Sequence, residues 1–177
     1  IEVLEDWHKV EGEVPTRQKI ITISVGELWP GQDYRIPVRM IVPVSSRAKG
    51  FHLTGGHGWR AMEHDAKLKP IEQELISGGV GLVYTVVQNM AASPTRRELG
   101  EEMHNRFIES LNPRYSVEYW AWPATMMRSI TAAYAEKDFF EAGKVAVSGG
   151  SKNGASPSVA ILIDERITAQ HARISPI

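Results

Sequence analysis

The stretch Lys144–Gly154, KVAVSGGSKNG, constrains this chain more than any other. Val145, Ala146 and Val147 are short and apolar and run into small residues, which predicts a buried strand ending in a very tight turn. Ser151 stands at the tip of that turn. Ala155–Ile163, ASPSVAILI, turns apolar again and is expected to be helical. A strand, a sharp turn carrying a serine, and a helix form a nucleophile elbow. The serine must stand clear of the sheet, so its backbone is strained and its neighbours must be small. The helix that follows aims free N–H groups and its positive dipole end at the serine oxygen. An anion formed in acyl transfer would find donors there. Against the signature G-x-S-x-G, Gly149 and Ser151 fit, Asn153 holds the last glycine position, and Gly154 comes one later. Asn tolerates left-handed backbone better than most residues. The competing reading is a Ser-Gly-rich turn with no chemistry.

The remaining elements follow from pattern. Residues 1–18 are charged and read as irregular. Lys19–Val25 reads as a strand, Trp29–Asp33 as a turn, and Tyr34–Val44 as its antiparallel partner, with Pro37 and Pro43 pointing to an edge position or to strand ends. Phe51–Thr54 is a short strand. Pro70 opens a helix with Ile71, Leu75 and Ile76 on one stripe, ended by Gly78-Gly79. Val80–Val87 is a near-continuous apolar strand of the kind buried on both faces. Gln88–Thr95 reads as a loop, Arg96–Leu111 as a helix broken at Asn112-Pro113, and Pro123 as the start of a longer helix. Ile167–Ile174 reads as a last strand. The alternation predicts an α/β fold, mostly parallel, behind a leading antiparallel hairpin and with helices on both faces. The 177 residues suit one domain, 1–177. A buried last strand with no covering helix after it leaves the sheet unfinished, so the domain is expected to continue beyond Ile177, and the start at Ile1 without Met fits a removed leader or a fragment.

Composition narrows the chemistry. With 20 basic and 21 acidic residues, nothing calls for nucleic acid or an anionic membrane as partner. No cysteine is present, which excludes disulfides, thiolate metal sites and a cysteine nucleophile. No apolar run is long enough for a membrane-spanning helix. His52, His57, His64 and Asp65 match no zinc spacing, so no metal and no cofactor is expected.

A second constellation lies upstream. Thr54-Gly55-Gly56-His57-Gly58 follows a short strand, where the α/β-hydrolase fold takes its second oxyanion donor from an HGGG-like run. The backbone N–H of Lys152 would be one donor and that of Gly56 or His57 the other. The competing reading is a tight turn whose glycines serve packing. His57 is the histidine nearest the expected oxyanion, though a lone histidine in a loop has other uses. The Lys152 ammonium would stabilise an oxyanion or hold an acidic group, or simply be solvated in the first turn of a helix. Trp59, Trp120 and Trp122 would line a sugar or acyl pocket, or be core. In this fold the order is Ser, then Asp or Glu, then His. After Ser151 only Asp164, Glu165 and His171 follow. His171 lies in a predicted strand, too early for the usual catalytic loop, and the two acids sit at a helix end, where pairing with Arg166 or solvent is expected. A dinucleotide site is disfavoured, because GGSKNG lacks the G-x-G-x-x-G spacing and lies late in the chain.

VAVSGGSKNGASPSVAILIDERITAQ, with Val87-Gln88-Asn89, the Glu102–Tyr115 stretch and WPATMMRSITAA, resembles the PhoPQ-activated pathogenicity-related protein family. GGSKNG is also similar to the G-C-S-R-N-G elbow of glucuronoyl esterases, where a basic residue follows the nucleophile. Gly150 stands here in place of their cysteine. The resemblance implies a serine hydrolase of bacterial type acting on a small-molecule or carbohydrate ester, with Ser151 as nucleophile and Lys152 as its basic neighbour. It also implies an acid and a histidine C-terminal to Ile177, and a secreted or periplasmic location over a cytoplasmic one. The alternative is a non-catalytic protein on the same scaffold that holds an acidic carbohydrate or another small ligand.

Overall fold

The structure, a computed structural model, describes residues 1–87 and 94–173, with the side chains of 94–97, 118 and 152 excepted. Seven strands form one sheet in the order β1-β2-β3-β5-β4-β6-β7. They are β1 (Glu2–Val10), β2 (Thr16–Trp29), β3 (Gln32–Pro43), β4 (Phe51–Thr54), β5 (Gly81–Thr85), β6 (Val145–Gly150) and β7 (Ile167–Arg173). The helices are α1 (Pro70–Ser77), α2 (Pro94–Ser110), α3 (Trp122–Ala135) and α4 (Ala155–Ile163). The β1–β2, β2–β3 and β3–β5 pairs are antiparallel. The β4–β5, β4–β6 and β6–β7 pairs are parallel. This is the expected α/β architecture with a mixed sheet. The loop expected from Gln88, and Ile174, lie outside the described residues.

Side-chain alternation sorts the core into two layers, one on each face of the sheet. Leu82, Tyr84 and Val86 of β5 and its extension join Ile20, Ile41, Met62 and Ile76 on the α1 face. Val83 and Val87 join Ile21, Ile23, Val38, Leu53, Val147 and the α3 residues Met126 and Ile130 on the other. β5 is buried along its whole length, which accounts for its unbroken apolar run.

The reading of residues 1–18 as irregular is corrected: β1 and the start of β2 are ordered strand. The tie is distant in sequence. Trp7 Nε1 donates to Glu136 Oε2 (2.8 Å) and the Trp7 ring stacks on Phe139 at 4.0 Å between centroids. Lys19 bridges Asp6 and Glu136 at 3.1 and 2.9 Å. Pro37 also departs from expectation, since β3 is an inner strand. The Pro37 carbonyl accepts from Thr85 Oγ1 at the rim of β5, and the β3–β5 ladder begins only at Val38, so the missing N–H of Pro37 interrupts no ladder bond. At the β2–β3 turn, Gly31 sits at φ +85° after Pro30, the sequence and geometry of a type II turn.

Candidate functional site

β6 delivers the chain to Gly150, and Ser151 follows with φ +55°. It is one of only two non-glycine residues with positive φ among those described, and it is exposed. For a residue with a Cβ this left-handed backbone costs about 1–2 kcal/mol. A 3₁₀ turn, Ser151–Gly154, then leads into α4. The turn closes so tightly on β6 that a Cβ on Gly149 would fall on the carbonyl oxygen of Asn153. Glycine at position 149 is therefore a steric requirement. The α4 N-terminus, with its unpaired N–H groups and positive dipole end, stands directly behind the serine turn.

The glycine loop leaves β4 beside β6. Thr54 lies opposite Ser148 in the β4–β6 ladder, so the loop begins level with the residues that precede the elbow. Val87 N–H donates to the Gly55 carbonyl (3.1 Å), and Gly56 bridges Val86. A Cβ on Gly55 would penetrate the Val87 side chain. A Cβ on Gly56 would stand 3.8 Å from Asn153 Nδ2. The elbow and the glycine loop, read separately in the sequence, thus meet across Gly56 and Asn153.

The His57 ring is committed to packing. It stacks on Tyr84 with centroids 3.9 Å apart. Burial drives its pKa down to about 4, so the ring is neutral at pH 7. Tyr84 is pushed far up by the same burial and by the Glu72 carboxylate. Glu72 in turn accepts from the Lys69 N–H at the start of α1 (2.7 Å). The Lys152 side chain lies outside the described residues. The three tryptophans do not share a pocket. Trp122 is buried in the core, Trp120 packs near Gly26, and Trp59 lines a separate groove with Leu4 and Met62.

Sequence patterns gave no sign of two further polar groups. His52 of β4 and Ser148 of β6 are hydrogen-bonded at 2.8 Å, with His171 of β7 opposite Ser148. They line a groove of about 670 Å³ with Ile71, Leu75 and Ala146. Burial lowers the His52 pKa. A serine and a histidine in contact suggest a nucleophile and its base, but this pair sits inside the strand ladders. Backbone N–H groups there are spent on pairing, so no oxyanion donor is free. The second group is Glu5, His8 and Asp65, whose ligand atoms lie within 4.8 Å of one another. His8 Nε2 is 2.8 Å from Asp65 Oδ1, and the buried Arg39 reaches the same oxygen at 3.5 Å. Two basic side chains already share that carboxylate, as in an ion-pair network. No signal short of the fold would reveal either cluster, because strand pairing and loop return bring the partners together.

No protein-family model matches the chain, and no curated protein matches it by sequence. Solved structures do. A CE15 glucuronoyl esterase from Teredinibacter turnerae T7901 superposes with a TM-score of 0.63 at 13% identity, over 97% of this chain and 45% of that one. The glucuronoyl esterase from Solibacter usitatus gives 0.60 at 15%, over 97% and 51%. A cold-adapted esterase from an Arctic intertidal metagenomic library gives 0.53 at 12%, over 93% and 62%. The chain spans about half the length of the glucuronoyl esterases it matches. At such identities the likeness shows the fold alone, a mixed-sheet α/β fold like that of these esterases.

Proposed function

We propose that this chain carries the nucleophile-bearing part of a serine carboxylester hydrolase. The Ser151 Oγ attacks the acyl carbon of an ester, its proton passes to a base, and the alcohol leaves with a proton returned to it. Water then releases the acid and regenerates the serine. The backbone N–H groups of Lys152 and of Gly56 or His57 hold the oxyanion. The Lys152 ammonium assists them as a basic neighbour of the nucleophile. The base and its orienting acid come from sequence C-terminal to Ile177, and the substrate is a small-molecule or carbohydrate ester.

The observation that carries this reading is the left-handed backbone of Ser151 at the junction of β6 and α4. A packing turn has no use for strain at a serine, and glycine would remove it. The resemblance of GGSKNG to the glucuronoyl esterase elbow and the structural neighbours' names support the same reaction class. Likeness to the PhoPQ-activated family rests on the sequence segments alone.

The test is intact-mass spectrometry of the natural-source protein before and after a fluorophosphonate, with Ser151→Ala as control. One adduct mapping to Ser151 and lost in the variant is expected. No adduct on the native-length protein would overturn the reading and turn attention to a ligand-holding role.

A further inference from the structure

The turn that presents Ser151 holds a second polar side chain whose hydrogen-bonding capacity is unspent. Asn153 Oδ1 is buried and has no hydrogen-bond partner among the described residues. Among the described residues the Asn153 side chain makes no hydrogen bond. A buried amide oxygen without a partner is unfavourable. Glycine at this position, as in the usual elbow signature, would avoid the penalty. The amide also lies close to the glycine loop. Nδ2 lies 3.8 Å from where a Gly56 Cβ would be, facing the loop that supplies one proposed backbone donor from the turn that supplies the other.

We infer that the Asn153 side chain is a substrate-contacting residue, its Nδ2 donating to the acyl oxygen of the bound ester beside the two backbone N–H groups. The inference rests on Ser151 being the nucleophile. It differs from a purely structural role in what it requires: the amide must gain a bond as charge develops on the acyl oxygen. A neutral donor aimed at developing negative charge acts on the rate of bond formation more than on binding.

The experiment is the rate of Ser151 phosphonylation by a fluorophosphonate, whose phosphoryl oxygen takes the acyl oxygen's place, at the native length of the protein. Asn153→Gly keeps a turn-compatible backbone and removes the amide. Asn153→Asp keeps the shape and replaces the donor by a carboxylate. Thermal unfolding checks that each variant is folded. Expected are a fall in kinact of about 10²-fold for Asn153→Gly, a larger fall for Asn153→Asp, and a KI within about twofold of wild type in both. Variants that react at the wild-type rate, an Asn153→Asp protein faster than Asn153→Gly, or losses that merely follow the unfolded fraction would overturn this inference alone. A wild-type protein that takes no adduct would overturn the nucleophile assignment and this inference with it.

Discussion

Ser151 holds a conformation that a β-carbon resists, and its stability and reactivity should therefore part company. Ser151→Gly is expected to raise the unfolding free energy by up to about 1 kcal/mol by relieving φ +55°. Ser151→Ala keeps the strain and gains little, and both abolish labelling. Paired thermal melts of the two variants check this. Gly55 gives a second residue-scale prediction. Gly55→Ala drives a methyl into Val87 and should cost about 1–3 kcal/mol. In the background of Val87→Ala, that cost should shrink, giving a coupling readable from a double-mutant cycle in urea. At this scale the sequence was informative about Ser151, Gly149 and the glycine loop, because each obeys a local steric rule. It was uninformative about Asn153, His52 and Ser148, whose surroundings depend on which strands lie side by side.

Among the elements, β1 is the one that local pattern concealed. Its residues are mostly exposed, so no clean apolar alternation marks it. Trp7 and His8 fasten it to distant parts of the chain. The His8 pKa is raised, first by the Asp6 carbonyl and then by the Asp65 and Glu5 carboxylates, against the effect of burial. The protonated ring is thus the form the fold prefers. Its stabilisation is fully present below the ordinary value of 6.5 and is lost as pH rises through the higher folded-state pKa. The urea midpoint of the wild-type protein should fall, relative to His8→Gln, between pH 6 and pH 8.5. An equal pH dependence in both would remove His8 from the account. At the other end of the sheet, Arg166 joins the α4–β7 turn to α3. It pairs with Asp164 at 2.5 Å and donates to Thr131 Oγ1 and the Met127 carbonyl. Arg166→Met leaves the buried Asp164 carboxylate without its cation and should cost about 1–3 kcal/mol, measured by urea unfolding. The helix starts at Pro70 and Ala155 and the strand Phe51–Thr54 were legible because proline punctuation, apolar runs and apolar–polar alternation are local. A π-helical turn at Val117–Ala121, ahead of α3, carried no such signal.

Across the whole molecule, the parts of the sheet differ in how far apart their strands lie along the chain. β2 and β3 are joined by Pro30 and Gly31 alone. β6, which presents the serine, pairs with β4 through Phe51 and Val145 and their neighbours, after every intervening element has been threaded. Closing that long segment costs more chain entropy than closing a hairpin. The fold is therefore built from the β2–β3 end toward the serine. Ile36→Val in β3 should slow refolding with a φ-value near 1. Val147→Ala in β6 should leave the refolding rate almost unchanged and speed unfolding instead. Stopped-flow chevrons on the two variants separate the cases. The order of assembly assigns the serine turn a kinetic character of its own. Changes around it alter the lifetime of a finished molecule and leave the time taken to finish it untouched, so the region that carries the candidate chemistry can vary without disturbing the nucleus from which the chain folds.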